Sequence, residues 1–198
     1  GRAAAGVIFV TTLEQKVSDT GGCSLQEAIF AANRNENVAI ERYSSDGTPI
    51  EATTQCLRQG NVDELDDVII LPARGLFRLS RIVADAINPF GPTGTPMVTS
   101  TITIEAHGAT LQQFGANSMR AFSVGSTGRL TIKNAHIQGF SAKGGDGGYG
   151  GGGGGLGAGG AIFVHAGELV IDGCTFEGNE AVGGSGGPPH EPGETSND

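Results

Sequence analysis

Glu105, Asp172 and Glu177 are the carboxylates whose spacing could let two of them share a reaction, with Lys133 lying between the first two in sequence. A glycoside hydrolase needs two carboxyl groups about 5–10 Å apart, and neighbouring strands of a sheet lie about 4.8 Å apart. When the short apolar runs of the chain are aligned, Glu105, Lys133 and Asp172 fall in one file, acid, base, acid. A lyase would use the cation beside the acids. The plainer reading is a ladder of cross-strand ion pairs. Asp63, Glu64, Asp66 and Asp67 form a second acidic group, of a kind that could hold Ca2+ through several oxygens. The Asp-x-Asp-x-Asp-Gly spacing is missing, and a solvated acidic loop is the plainer reading there too. His107, His136 and His165 recur every 29 residues, yet the same alignment sets His136 beside Thr175 and puts His165 on another strand, so they do not stack as metal ligands. Gly-x-Ser-x-Gly has no strand–turn–helix context, and Cys174 reads as a packed thiol. These residues require no cofactor; calcium is the one metal they leave open.

The elements that must position these groups begin with Val7–Val10, a short β-rich run that reads as an edge strand. Ser24 and Glu27 form a capping box, and Leu25, Ala28, Ile29 and Ala32 make one apolar helical face ending near Asn33. The polar, turn-rich stretch from Arg34 to Asp67 needs a tie, which Cys23 and Cys56 could supply by closing a loop across it. A pair of bonded cysteines implies an oxidising, extracytoplasmic compartment. From Asp67 onward short runs recur: Val68–Leu71, Thr101–Ile104, Leu130–Ile132 and Leu169–Ile171. The last two units superpose, with Leu130/Leu169, Ile132/Ile171 and Ile137/Phe176 coinciding. Three short strands per repeat, with turns between, are the signature of a solenoid, and the hairpin dipeptide Asn-Gly is absent.

Composition narrows the partners. The 198 residues carry 12 Lys plus Arg against 21 Asp plus Glu, a formal charge of −9, which argues against nucleic acid and anionic membranes. No apolar run approaches the length of a membrane span. The chain opens on Gly1 without a charged-then-apolar leader, so a mature or trimmed product is expected. Thirteen of the seventeen residues from Gly144 to Gly160 are glycine, a pattern that fits no phosphate loop and reads as a surface excursion.

The stretch Cys23-Ser24-Leu25-Gln26-Glu27-Ala28-Ile29, with Ala31-Ala32-Asn33 behind it, is similar to the Cys-Ser-Leu-Arg-Glu-Ala-Ile signature opening many secreted bacterial right-handed parallel β-helix proteins of the adhesin-like and polymorphic-outer-membrane-protein-like families. Cys56, then Asp67-Val68-Ile69-Ile70-Leu71-Pro72-Ala73, resembles their usual continuation, and Ile102–Leu111 and Cys174–Asn179 look like their later repeats. The likeness covers residues 7–182. It departs at Gln26 for the usual Arg, at an inserted Arg74, and at Ala106 where Gly is common. The resemblance implies architecture and secretion and leaves the activity open.

Repeats and resemblance together give an expected fold: all-β, a right-handed parallel β-helix with a short N-terminal capping α-helix. The expected divisions are 1–66 for strand, cap helix and disulfide-tied loop, 67–182 for about four coils with a Gly-rich excursion at 141–160, and 183–198 for a linker or cleaved terminus. Nothing after Asn179 supplies a second cap, so the last coil should be covered by another polypeptide, a C-terminal fragment or a like subunit. The expected function is a secreted or surface-displayed bacterial module for binding, adhesion or display, with glycan among its ligands. The alternatives are an extracellular polysaccharide lyase or glycoside hydrolase whose cleft a second chain completes, and a structural subunit of an envelope or filament.

Overall fold

The computed structural model describes residues 6–59 and 66–189. Among them the order is β1 (Gly6–Phe9), α1 (Leu25–Arg34), β2 (Val38–Tyr43), β3 (Pro49–Thr53), β4 (Arg58–Gln59), β5 (Asp66–Ile70), β6 (Leu76–Leu79), β7 (Thr101–Glu105) and β8 (Thr110–Gln113). It continues through β9 (Phe122–Val124), β10 (Arg129–Lys133), β11 (His136–Gln138), β12 (Ser141–Lys143), β13 (Ile162–Val164), β14 (Glu168–Asp172), β15 (Thr175–Glu177) and β16 (Glu180–Val182).

Helix α1 starts where its sequence says it should. Ser24 Oγ accepts from the Glu27 amide at 3.1 Å, while Glu27 Oε2 accepts from the Ser24 amide at 2.8 Å. Glu27 is fully buried and also receives the Lys16 ammonium at 2.8 Å and the Ser18 amide at 2.8 Å, so its charge is matched. Asn35, left-handed at φ 57°, ends the helix. Every residue from Leu25 to Ala32 is buried, because α1 packs on β2 and reaches β5 and β7. Gln26, the departure from the family signature, donates to the Gly94 carbonyl at 2.9 Å and so ties the helix to the 80–98 loop. The Cys23–Cys56 disulfide pins the start of α1 to the segment after β3.

The strands stack in register. One sheet runs β14-β10-β7-β5-β1-β4, a second β15-β11-β8-β6, and β12-β16, β13-β9 and β2-β3 form pairs. Ile8, Ile69, Ile104, Ile132 and Ile171 are successive partners across the first sheet, and Phe77, Leu111, Ile137 and Phe176 across the second. These files point into the core, where period-two alternation puts them. Polar or partly exposed residues occupy the alternate positions.

The expected all-β right-handed parallel β-helix is not what these sheets make. They are mixed: β4 pairs antiparallel with β1, β2 and β3 form an antiparallel hairpin, and the five separate sheets do not close into a solenoid. The architecture is one of mixed sheets with many short strands and one short helix. The cause lies in residues 38–59. Asp46-Gly47 turns the chain, with Gly47 at φ 84° and Ser44 bonded to Thr48, and Arg58–Gln59 folds back along Val7 and Ile8. Strand β1 is therefore paired on both sides and is not an edge.

Cutting the disulfide by Cys56→Ala should lower unfolding free energy by about 3–4 kcal/mol, from a cross-link spanning 33 residues, as read by denaturant titration. Burial, the largest effect on Asp85, raises its pKa against hydrogen bonds from the Met97 and Ile87 amides. Burial likewise raises Asp67 against the Arg58 guanidinium. A carboxyl with a raised folded pKa contributes stability that is present below the ordinary carboxylate range and is lost as pH rises through the raised value. Stability should therefore fall through these two groups as pH rises above the ordinary carboxylate range, and Asp85→Asn should flatten that slope in denaturation curves taken across a pH series.

Candidate functional site

The candidate catalytic residues lie on the solvent side of the sheets. Glu105, Lys133 and Asp172 are partners across β7, β10 and β14, in the file that alignment proposes. The Lys133 ammonium sits 2.8 Å from Glu105 Oε1, which with its charge raises the lysine pKa; Asp172 adds to this. Arg129 and Glu168 pair in the same manner at 2.5 Å. Glu177 stands on β15, across from Gln138 in a different sheet. Such a file of alternating charge on an open face is the geometry of cross-strand pairing.

Of the four candidate metal residues, the two that are described, Asp66 and Asp67, are adjacent on β5 and so face opposite sides of the sheet. Asp63 and Glu64 lie outside the described residues. Asp66 begins β5, partnered across the sheet with Thr101. Asp67 occupies the core file beside Ile102, fully buried at its side chain, 2.6 Å from Arg58. The buried Arg58–Asp67 pair gives β4 a charged anchor on the sheet, and a bond from Arg58 to Asn35 joins it to the end of α1. Among the described residues no group of three His, Cys, Asp or Glu could hold a metal ion. His136 meets Thr175 across the strands at 2.5 Å, and the His165 ring stacks on Phe90 at 4.4 Å. Cys174 is unpaired and half-buried, its Sγ 3.3 Å from the Ile132 carbonyl. A cleft of about 470 Å3 opens between Lys16, Gln26, Arg42 and Arg81, where Lys16 is already engaged by Glu27.

The feature that the core files expose is at β13–β16. Within the isoleucine file Ile8, Ile69, Ile104 and Ile132 are at most 1 % exposed, and Ile171 is 39 % exposed. In the second file Phe77, Leu111 and Ile137 are 1 % exposed and Phe176 is 46 % exposed. Val124 is buried while its partner Val164 on β13 is exposed. Among the described residues the core is thus uncovered on one side, where β13, β14, β15 and β16 each have a strand partner on one edge only. At the opposite end α1, the β2–β3 hairpin and β4 cover it.

Beside this open edge lies an ordered glycine bundle. Amides of Gly144, Gly147 and Gly150 donate to the carbonyls of Val182, Ser185 and Pro188 at 2.8, 2.7 and 3.1 Å. Amides of Gly184 and Gly187 donate to Gly155 and Gly152, and those of Gly155 and Gly152 donate to Gly145 and Gly148. Three segments, 144–150, 152–160 and 183–188, therefore bond cyclically with a period of three residues, the period of a polyproline II helix. The period dictates the glycines: a Cβ on Gly147 would run into the Gly152 carbonyl, and one on Gly187 into that of Gly148. Asp146, Tyr149, Leu156, Ser185 and Pro188 take positions the bundle leaves for side chains. Arg120 anchors it, donating to the Ala158, Gly159 and Phe90 carbonyls at 2.8–3.1 Å with its guanidinium over Phe163. Sequence reasoning missed this bundle, although Gly-Gly-x-Gly-Gly recurs at 144–148 and 183–187.

Gly187→Ala should destabilise the protein by about 1–3 kcal/mol through overpacking. Gly153→Ala, where a Cβ meets open space, should change stability by no more than about 0.5 kcal/mol in the same thermal melts.

A scan against protein-family models matches nothing, and searches of curated proteins and of solved structures find no similar chain.

Proposed function

We propose that this chain is a secreted or surface-displayed binding and display module whose uncovered core is closed by further polypeptide that continues its parallel strands. The observation that carries the reading is the jump in exposure from Ile132 to Ile171 and from Ile137 to Phe176. Fully burying such a side chain stabilises by about 1.5–3 kcal/mol, so a partner that covers both, together with Val164 and Leu169, has a substantial driving force. Unpaired strand edges next to an apolar patch are a template for further pairing. A like copy stacked head to tail would have to meet this edge with an end already covered by α1 and β4. The Cys23–Cys56 disulfide fits an oxidising compartment, and a bacterial surface or its surroundings is the setting that the family resemblance supports. No described helix is long and apolar enough to cross a membrane. Adhesion or display, with glycan as a candidate ligand, would then use the polar outer faces of the sheets.

In the protein from its natural source, polypeptide beyond residues 1–198 should slow amide exchange in β14–β16 and suppress dye binding to the apolar end, relative to residues 1–198 alone. A native form that exchanges those amides as fast as residues 1–198 alone contradicts the proposal. Asp172→Ala should leave polysaccharide turnover unchanged, measured as reducing or unsaturated ends; loss of a measurable turnover would favour the enzyme reading instead.

A further inference from the structure

The repeat that stacks the strands also stacks the glycine segments. Strands β10 and β14, β11 and β15, and β12 and β16 are partners 39 residues apart, and Gly145 and Gly148 stand beside Gly184 and Gly187 at the same offset. Each unit thus consists of parallel strands followed directly by a glycine segment, since Gly144 follows β12 and Gly183 follows β16. The amides of Gly144 and Gly147 donate one unit onward, to Val182 and Ser185. Their equivalents are Gly183 and Gly186, which have no acceptor among the described residues and by the same translation point past the open edge.

We infer that the polypeptide covering β14–β16 also carries a glycine segment, which docks on residues 183–187 by accepting the Gly183 and Gly186 amides. This rests on the proposed function and names the partner's chemistry. The occupant is an extended segment with carbonyls at a three-residue period and glycine where it passes the Gly184 and Gly187 carbonyls. A side chain there meets the same obstruction that a Cβ on Gly184 or Gly187 meets at the Gly145 and Gly148 carbonyls. Strands alone would cover Ile171 and Phe176 and leave two backbone donors without a protein acceptor.

A synthetic polypeptide of residues 129–160, which contains β10, β11, β12 and the first glycine segment, serves as the probe on the full chain. Placed one unit onward, it offers the Lys143 and Asp146 carbonyls to Gly183 and Gly186. A second probe carries Gly145→Ala and Gly148→Ala; both positions face open space within their own unit, so the change leaves its internal packing alone. The first probe should slow amide exchange in β14–β16 and, by roughly tenfold, at Gly183 and Gly186, and the second should bind roughly tenfold more weakly and leave Gly183 and Gly186 unprotected. Equal protection of β14–β16 by both probes, with Gly183 and Gly186 unaffected, overturns the inference and leaves the proposed function standing. If the first probe protects no part of β14–β16, the reading of the open edge falls and the inference with it.

Discussion

The file of isoleucines through Ile8, Ile69, Ile104, Ile132 and Ile171 is the constraint on which the rest of the molecule depends. Parallel pairing in strict register places one β-branched side chain directly upon the next, and a slip of one residue would turn the whole file out to solvent. The register therefore fixes which faces are polar, where the charged file of Glu105, Lys133 and Asp172 can lie, and which side chains are left uncovered at the last strand. The open end follows from the way the core is built, because every inward position needs a neighbour on both sides to be buried.

The two ends of the stack are treated differently. At one end the chain invests a capped helix, an antiparallel hairpin, a disulfide and a buried Arg58–Asp67 pair. That pair costs desolvation, and removing one partner would leave an unmatched buried charge. In the file that runs through Leu130 and Ile102, Asp67 is followed by Gly6 of β1, and Arg58 of the last strand β4 reaches Asp67 beside that glycine. At the other end Leu169, Ile171 and Phe176 continue the core files, and Ile171 and Phe176 stand exposed. The contrast between a terminated and an unterminated end supports reading the latter as a place for association.

Local chemistry was the most legible part of the sequence. Ser24 and Glu27 announced the start of α1 because a capping box involves four consecutive residues. The pairing of Leu130 with Leu169, Ile132 with Ile171 and Ile137 with Phe176 was legible because apolar alternation repeats. Fold class was not. Asp46-Gly47 was the hairpin signal in the polar stretch, and two residues, Arg58 and Gln59, make too short a strand to leave a pattern. Asp67 was grouped with its acidic neighbours because sequence does not show that Arg58 reaches it. The glycine bundle was hidden for a different reason: its specificity lies in backbone bonds between distant segments, and no side-chain pattern records them.

Hydroxyl-radical footprinting of the isolated chain tests the central claim most directly, since it reads side-chain exposure residue by residue along both files. The account predicts that Ile171 and Phe176 are labelled readily while Ile132 and Ile137, one strand inward, are not. Labelling of Ile171 and Phe176 as low as that of Ile132 and Ile137 would show that the core is closed and would contradict it.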